Sequence, residues 1–310
     1  MAKTKTRSGL GKFNIFLFVV FIALLVATIL IIAFSSADSA EDPAAAGEFV
    51  DEIVIDEFKP GTYGGKEFKT QEDLINYYVE CYNYTKTLTA QYDENGEKKT
   101  YYKLIGVDTL DIENLLVEGK SNSTIDKLVP GIVGGLFSSG VKGLTPSDNR
   151  DPNLDTRNDG ALDLRTSALT NDDILAANIV DNNDGTVTIT IQPKAAILSM
   201  PGEDSQGRFF NVLGDISGVV SSISVLSFSE GTIDENFVVN YAGGTGVIKI
   251  DTKTGEVLEA EYVMKVHIDV QHANVAILKD KSASLDIVYK NVFPASDEDL
   301  MELKGIKRLG

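Results

Sequence analysis

The segment from Phe13 to Phe34 constrains this chain most, because 22 consecutive residues include only two polar ones, Asn14 and Thr28. As an α-helix rising about 1.5 Å per residue, it would be about 33 Å long. That length matches the hydrocarbon core of a bilayer, which is about 30 Å thick. The sequence therefore predicts a transmembrane helix over residues 13–34.

Charged residues flank this segment unevenly. The residues before it include basic side chains and no acidic ones, and acidic residues follow it from Asp38 onward; the basic residues are Lys3, Lys5, Arg7 and Lys12. Because basic flanks stay on the cytoplasmic side, residues 1–12 are predicted to be a cytoplasmic tail. We expect a single-pass protein of the cell membrane whose carboxyl-terminal domain lies outside the cytoplasm.

A cleaved secretory signal peptide is the alternative interpretation of the same segment. Such signals combine a basic start, an apolar run of about 7–15 residues and a cleavage site of small residues. The basic start is present, and both Ala33-Phe34-Ser35 and Ala44-Ala45-Ala46 have the required small-x-small form. The apolar run is longer than signals of this class, so we favour an uncleaved anchor. Cleavage would make the protein secreted.

The remainder of the chain is strongly acidic. Without the first 34 residues, which hold four positive charges, 276 residues carry a formal charge of −18 − 4 = −22. Such a surface repels nucleic acid and anionic lipid headgroups, so neither is expected as a partner. The single cysteine, Cys81, allows no disulfide within the chain, so the domain must be stable through its core alone.

Composition divides the outer part into three regions. Residues 35–48 are rich in Ser, Ala, Asp and Pro and are predicted to be a flexible stalk. Residues 49–296 would form one extracytoplasmic domain, and residues 297–310 a carboxyl-terminal tail. Within the domain, Phe49–Phe58 is apolar enough to predict a first short strand.

The clearest helix signal of the outer domain follows Thr70. Thr70 is a suitable N-cap, with Asp73 three residues later. Large apolar residues and a threonine then recur at helical spacing: Leu74, Tyr77, Tyr78, Cys81, Tyr82 and Thr85. We expect this side of the helix to pack under a sheet.

The last third of the chain predicts an antiparallel meander. Val257–Gln271 alternates, with apolar side chains at every even position and polar ones at most odd positions. At about 3.3 Å per residue this strand would approach 50 Å, so we expect it to bend or bulge. Hairpin turns are predicted at Asp251–Gly255 and Asn183–Gly185, and a further turn at Lys279–Ser282. The predicted fold class is α+β, with a curved antiparallel sheet packed against one or a few helices.

Three short motifs occur along the chain: Ser139–Lys142 matches S-x-x-K, Ser147–Asn149 matches S-D-N, and Lys253–Gly255 matches K-T-G. Together they resemble the signature of penicillin-binding proteins and β-lactamases. In that family the serine opens a helix and the second motif returns from across the cleft. Four residues between the first two motifs are too few for that path. The third motif also falls in a predicted turn, so we reject this assignment.

Other motifs give no assembled site. His267 and His272 are five residues apart, so on a regular strand they would face opposite sides and share no metal. Gly243–Gly246 resembles a phosphate loop but precedes a strand pattern instead of a helix. Asn83–Thr85 and Asn122–Thr124 match the glycosylation sequon.

One acidic segment resembles a calcium loop in part. It runs from Asp148 to Gly160, but Thr156 replaces the turn glycine of that motif and Leu162 its closing glutamate. Asp181–Gly185 is a poorer match. We interpret both segments as polar surface loops. The sequence therefore predicts no catalytic, cofactor-binding or metal-binding residue.

Two further apolar segments lack strand alternation. Val129–Leu144 is interrupted by glycines, and Val212–Phe228 carries apolar residues at near-helical spacing among serines. They would close the core or cover a cavity for an apolar ligand. Three functions follow as hypotheses. We favour a non-catalytic cell-envelope interaction module that binds an envelope protein or polymer. The first alternative is a carrier of lipid or another apolar ligand in a half-barrel-like sheet, and the second is an envelope hydrolase.

Overall fold

The structure is a computed structural model that describes residues 51–94, 96–120, 141–143, 166–200, 202–210, 212, 226–275 and 278–295. In these residues the fold is mostly antiparallel sheet with few helices, as the sequence predicts. The helices are α1 (Gln71–Lys86), α2 (Ser205–Phe209) and α3 (Ile233–Asn236), with a 3-10 turn at Asn171–Asp173. The strands are β1 (Gly61–Tyr63), β2 (Lys66–Phe68), β3 (Thr89–Glu94), β4 (Glu97–Tyr102), β5 (Ile105–Val117), β6 (Val141–Gly143), β7 (Ile174–Asp181), β8 (Thr186–Pro193), β9 (Ala196–Ile197), β10 (Leu226–Phe228), β11 (Phe237–Tyr241), β12 (Thr245–Asp251), β13 (Val257–Val275) and β14 (Leu278–Phe293).

One ten-stranded antiparallel sheet organises these elements, in the order β6-β5-β14-β13-β12-β8-β7. Strand β13 is its centre. One edge of β13 pairs along almost its whole length with β14, and the other pairs in succession with β12, β11 and β10. Strand β9 extends the sheet beyond β11. Two small hairpins, β1–β2 and β3–β4, form separate two-stranded sheets.

The alternation predicted for β13 is confirmed over its middle. Every even-numbered side chain from Ala260 to Val270 is buried, and we call the face they share the inner face; the opposite face is the outer face. Near the start of the strand the prediction is wrong, because Val257 is buried and Leu258 is only half-buried. The pairing with β12 shifts between Lys249 and Ile250, and this irregularity exchanges the two faces.

The far end of β13 also differs from the prediction. The strand continues past Gln271 to Val275, and Lys279–Ser282 lies within β14 instead of forming a turn. The pairing of β13 with β14 shifts between Val270 and Ala273 and then continues. The two strands therefore stay paired beyond a bulge that the sequence pattern does not reveal. The expected bulge is therefore present, and the hairpin is longer than predicted.

Helix α1 begins as predicted. The Thr70 hydroxyl accepts from the Asp73 backbone N–H, and the Asp73 carboxylate accepts from the Thr70 N–H, which forms a complete capping box. All six residues of the predicted packing side are buried. At the other end of the helix, the Thr85 hydroxyl donates to the Cys81 carbonyl and accepts from the Val257 N–H, which fixes the helix to the start of β13.

Tight turns connect the strands at both predicted hairpins. Asn183 (φ 59°) and Gly185 (φ 88°) take left-handed backbone conformations between β7 and β8. Gly255 (φ 75°) does so between β12 and β13. These are the conformations for which Asn and Gly are suited, so both hairpin predictions are confirmed.

The prediction of a strand over Phe49–Phe58 is wrong for the part that the structure describes. Residues 51–58 do not pair with any strand of the sheet. Side chains bind this backbone instead. The Gln192 amide accepts from the Val54 N–H and donates to the Glu52 carbonyl, and the Asn178 amide donates to the Asp56 carbonyl. The segment therefore crosses the outer face at the β7–β8 corner, without adding a strand to the sheet.

Candidate functional site

The outer face of the sheet carries a charged cluster centred on His267. His267 Nε2 lies 3.0 Å from Asp269 Oδ2 on the same strand, and His267 Nδ1 lies 2.6 Å from Asp286 Oδ1 on β14. Residues two apart on a strand share a face, which places Asp269 beside the ring. The register pairs His267 directly with Asp286, which supplies the second carboxylate.

A bulge in β5 adds a fourth member to this cluster. Ser284 pairs with Leu116 but Asp286 pairs with Glu113, so β5 contains one extra residue between these pairs. Asn114 lies in this bulge with a left-handed backbone (φ 47°), which Asn tolerates better than most residues. Its side-chain amide donates to Asp286 Oδ2 at 2.7 Å. Three strands thus converge on one ion cluster.

The two carboxylates hold His267 in its charged form. The hydrogen bonds to Asp269 and then to Asp286 raise the pKa of His267 to about 9, against the smaller opposing effect of burial. The same contact with His267, helped by Asn114, lowers the pKa of Asp286. Both ring nitrogens therefore act as donors at neutral pH. In this arrangement the ring has no lone pair with which to accept a proton or bind a metal ion.

The second histidine is held separately. His272 Nδ1 lies 2.8 Å from Asp280 Oδ1, which also accepts from the Ser229 hydroxyl at 2.7 Å. These contacts raise the pKa of His272 and lower that of Asp280. The serine therefore contacts the carboxylate and not the imidazole, unlike the order of contacts in a hydrolytic triad.

His267 and His272 are five residues apart and would face opposite sides only on a regular strand. The bulge between Val270 and Ala273 breaks this parity, since both of those residues are buried. The two histidines belong to separate clusters because they bind different carboxylates: His267 binds Asp269 and Asp286, and His272 binds Asp280. Within the described ranges, no three His, Cys, Asp or Glu side chains are grouped so that they could hold a metal ion.

A row of side chains crosses the outer face six residues along β13 from the His267 cluster. Val247 on β12 pairs with Glu261 on β13, which pairs with Val292 on β14. Val247 and Val292 are 40% and 37% exposed, and the Glu261 side chain between them is exposed. We call these three residues the valine–glutamate row. It presents apolar surface on both sides of one carboxylate.

The structure describes one of the two polar loops proposed from the sequence. Asp148–Gly160 lies outside the described residues. In Asp181–Gly185, the Asp181 carboxylate accepts from the Gly64 and Asn183 N–H groups, and the Asp184 carboxylate accepts from Thr186. These carboxylate oxygens accept hydrogen bonds from backbone N–H groups and a hydroxyl in and around the turn. This role accounts for the acidic residues of the segment without a bound cation.

The asparagine of the first glycosylation sequon, Asn83, forms hydrogen bonds with the backbone of another part of the fold. The Asn83 amide group donates to the Ser167 carbonyl at 3.1 Å, and its oxygen accepts from the Ser167 N–H at 2.7 Å. Thr85 of the same sequon is buried. A glycan at Asn83 would break both hydrogen bonds. Asn122–Thr124 lies outside the described residues.

The penicillin-binding motifs are only partly described. Ser139 and Ser147–Asn149 lie outside the described residues, whereas Lys142 lies on strand β6 and Lys253–Gly255 in the β12–β13 turn. Strand β6 pairs with β5, and β14 lies between β5 and β13. The backbone at Lys142 is therefore a strand and not the opening of a helix. Gly243–Gly246 leads into strand β12, as expected for a bend.

The cluster around His267 is the arrangement that sequence reasoning missed. His267 and Asp269 share the polar face of the most clearly predicted strand, and this pair was a usable signal. Asp286 and Asn114 could not be assigned to the same place, because their contribution depends on the β13–β14 register and on the β5 bulge.

Comparison of the chain with protein-family models, with curated proteins and with solved structures finds no match. Among the helices of the described ranges, none combines the length and the apolar character needed to span a membrane. The predicted transmembrane segment, residues 13–34, lies outside those ranges.

Proposed function

We propose that this chain is a membrane-anchored, extracytoplasmic interaction module without catalytic activity. The anchor is the apolar segment Phe13–Phe34, and the module is the domain built on the ten-stranded sheet. The observation that carries the proposal is the valine–glutamate row on the outer face, because partly exposed valines around a carboxylate form a surface suited to another protein.

The chemistry of the row suggests the character of the partner. Val247 and Val292 offer apolar contact, and Glu261 offers a charge for which no salt bridge or hydrogen bond is found among the described side chains. A protein that places a lysine or arginine between two apolar side chains would complement all three. The net charge of −18 is consistent with a basic partner and unfavourable for an acidic one.

The His267 cluster supports a binding role more than a catalytic one. A general base must be able to take up a proton, and the raised pKa of His267 keeps the ring protonated at neutral pH. The cluster also joins β5 to β13 and β14, and the last two strands carry Glu261 and Val292 six residues from the cluster. We therefore interpret it as a contact that holds together the strands of the binding surface.

Site-specific photo-crosslinking tests this function. The full-length protein would be expressed in its native membrane with benzoylphenylalanine in place of Val247 or Val292. The control position is Tyr84 on helix α1, which is 46% exposed. We expect one protein adduct from both row positions and none from the control, and we expect Glu261→Arg to abolish it. Equal labelling at all three positions would contradict a specific surface.

A carrier of lipid or another apolar ligand remains the second candidate. Strands β13 and β14 span 19 and 16 residues, and their pairing contains bulges, which favour the bending that the curved sheet of such a carrier requires. At one end the inner face packs against aromatic side chains, with Tyr78 and Phe209 contacting Tyr262. Protein purified gently should melt at a higher temperature than delipidated protein if a ligand is bound, and at the same temperature if none is.

A further inference from the structure

Three of the most exposed aliphatic side chains in the described ranges lie at one corner of the domain. They are Ile53 (42% exposed), Val54 (54%) and Ile197 (68%). Ile53 and Val54 belong to the segment that crosses the outer face, and Ile197 lies on β9. We call them the entry corner, because the chain enters the described fold at Asp51.

Hydrogen bonds fix the two parts of the entry corner together. Both carboxylate oxygens of Asp51 accept from the Ala195 N–H, at 2.8 and 2.9 Å. Three residues along, the Val54 N–H donates to Gln192 Oε1 at 2.9 Å. Residues 51–54 therefore run antiparallel to residues 192–195, and Ile197 follows two residues beyond Ala195. The corner is held by the fold on both sides.

The length of the preceding chain limits how far this corner lies from the anchor. Sixteen residues, numbers 35–50, separate Phe34 from Asp51. Whatever its conformation, a chain of that length cannot span more than about 56 Å. If Phe13–Phe34 spans the membrane, the entry corner is the described part of the domain that is tethered closest to the lipid.

We propose that the entry corner docks on the bilayer, with Ile53, Val54 and Ile197 inserted at the boundary between headgroups and acyl chains. This inference rests on the membrane anchoring proposed above. Aliphatic side chains gain free energy when they leave water for that boundary. Glu52 at the same corner is exposed and would be repelled by anionic headgroups, so the surface that fits is a zwitterionic one. Docking would fix which side of the domain faces outward.

The chain contains no tryptophan, so a single introduced one reports its own environment. The full-length Ile197→Trp variant would be reconstituted into phosphatidylcholine vesicles, with or without brominated acyl chains. The matched control is Val292→Trp, another exposed aliphatic position on the outer face. It lies three strands from Ile197, along β14-β13-β11-β9, and therefore at least about 14 Å away across the sheet. We expect the Ile197→Trp emission to shift to the blue and to be quenched by bromine, and the control emission to do neither.

Flotation of the vesicles separates this inference from the proposed anchoring. Protein that floats with the vesicles while Ile197→Trp stays unquenched would overturn the docking and leave the anchor intact. Protein that does not float would overturn both. Equal quenching of both variants would mean that the whole outer face lies on the lipid, which also contradicts the entry corner. Adding Ile53→Ser and Val54→Ser to Ile197→Trp should reduce the quenching, and unchanged quenching would count against the proposal.

Discussion

Tyr78 on helix α1 and Tyr262 on strand β13 share a hydrogen bond between their hydroxyl oxygens, 2.7 Å apart in the protein interior. Both side chains are buried completely, and burial raises the pKa of each phenol. Phe209 contacts both rings edge-on. This pair joins the helix to the central strand by a directional contact.

The hydroxyl pair should behave as a coupled unit. Tyr78→Phe or Tyr262→Phe removes one hydroxyl and deprives the other of its partner, at a cost of about 1–3 kcal/mol in the free energy of unfolding. The double variant should lose less than the sum of the two, because it leaves neither hydroxyl of the pair behind. Urea titrations of all four proteins give the coupling energy, and strictly additive losses would contradict a direct bond.

The two faces of β13 should respond differently to substitution. Ile268 is fully buried on the inner face, so Ile268→Asp should destabilise the domain by several kcal/mol by burying an unpaired carboxylate. Glu261→Gln, on the exposed outer face, should change stability by about 0.5 kcal/mol or less. Urea titration measures the free energy of unfolding of both variants. Comparable decreases would show that the outer face is also buried. Asp269, on the same face, is not a suitable control, because it binds His267.

The His267 cluster predicts a pH-dependent contribution to stability. The pKa of His267 in the folded protein, about 9, exceeds the value of about 6.5 expected in the unfolded chain. Its contribution should therefore be complete below pH 6.5 and disappear as the pH rises through about 9. The difference in unfolding free energy between the native protein and His267→Gln should be largest near pH 6 and smallest above pH 10.

The control for this experiment is His272→Gln. His272 is 41% exposed, and its partner Asp280 is 62% exposed, so solvent screens their interaction. This substitution should have a much smaller effect than His267→Gln at every pH. If the change in unfolding free energy caused by His267→Gln did not depend on pH, the ring would stabilise the fold through packing and not through its charge.

The rejected penicillin-binding assignment is also testable. Activation of a serine requires the lysine and the second serine to converge on one cleft, but the backbone at Lys142 is an edge strand and Lys253–Gly255 is a hairpin turn. Labelled penicillin should therefore give no covalent adduct with the full-length protein. Mass spectrometry of the incubated protein checks this, and a stoichiometric adduct at Ser139 would restore the family assignment.

Local patterns in the sequence determined a large part of this fold. Thr70 and Asp73 specify the start of helix α1 because a capping box is made by residues three apart. The alternation from Ala260 to Val270 specifies one buried face because strand side chains alternate regardless of the partner strand. Asn183 and Gly255 mark turns because their backbones tolerate left-handed conformations. Each of these features depends on contacts between residues close in sequence.

The tertiary structure alone decided where distant residues meet. His267, Asp286 and Asn114 form one cluster because of a register between strands and a bulge in β5, which no local period encodes. The bulges at Ile250 and near Ala273 exchanged the buried and exposed positions at the ends of β13. Residues 51–56 bind side chains of β7 and β8 where a strand was expected, because Gln192 and Asn178 satisfy their backbone groups. Pairing across many residues is set by the packing of the whole sheet, so the sequence pattern specified the strand and only the assembled sheet specified its neighbours.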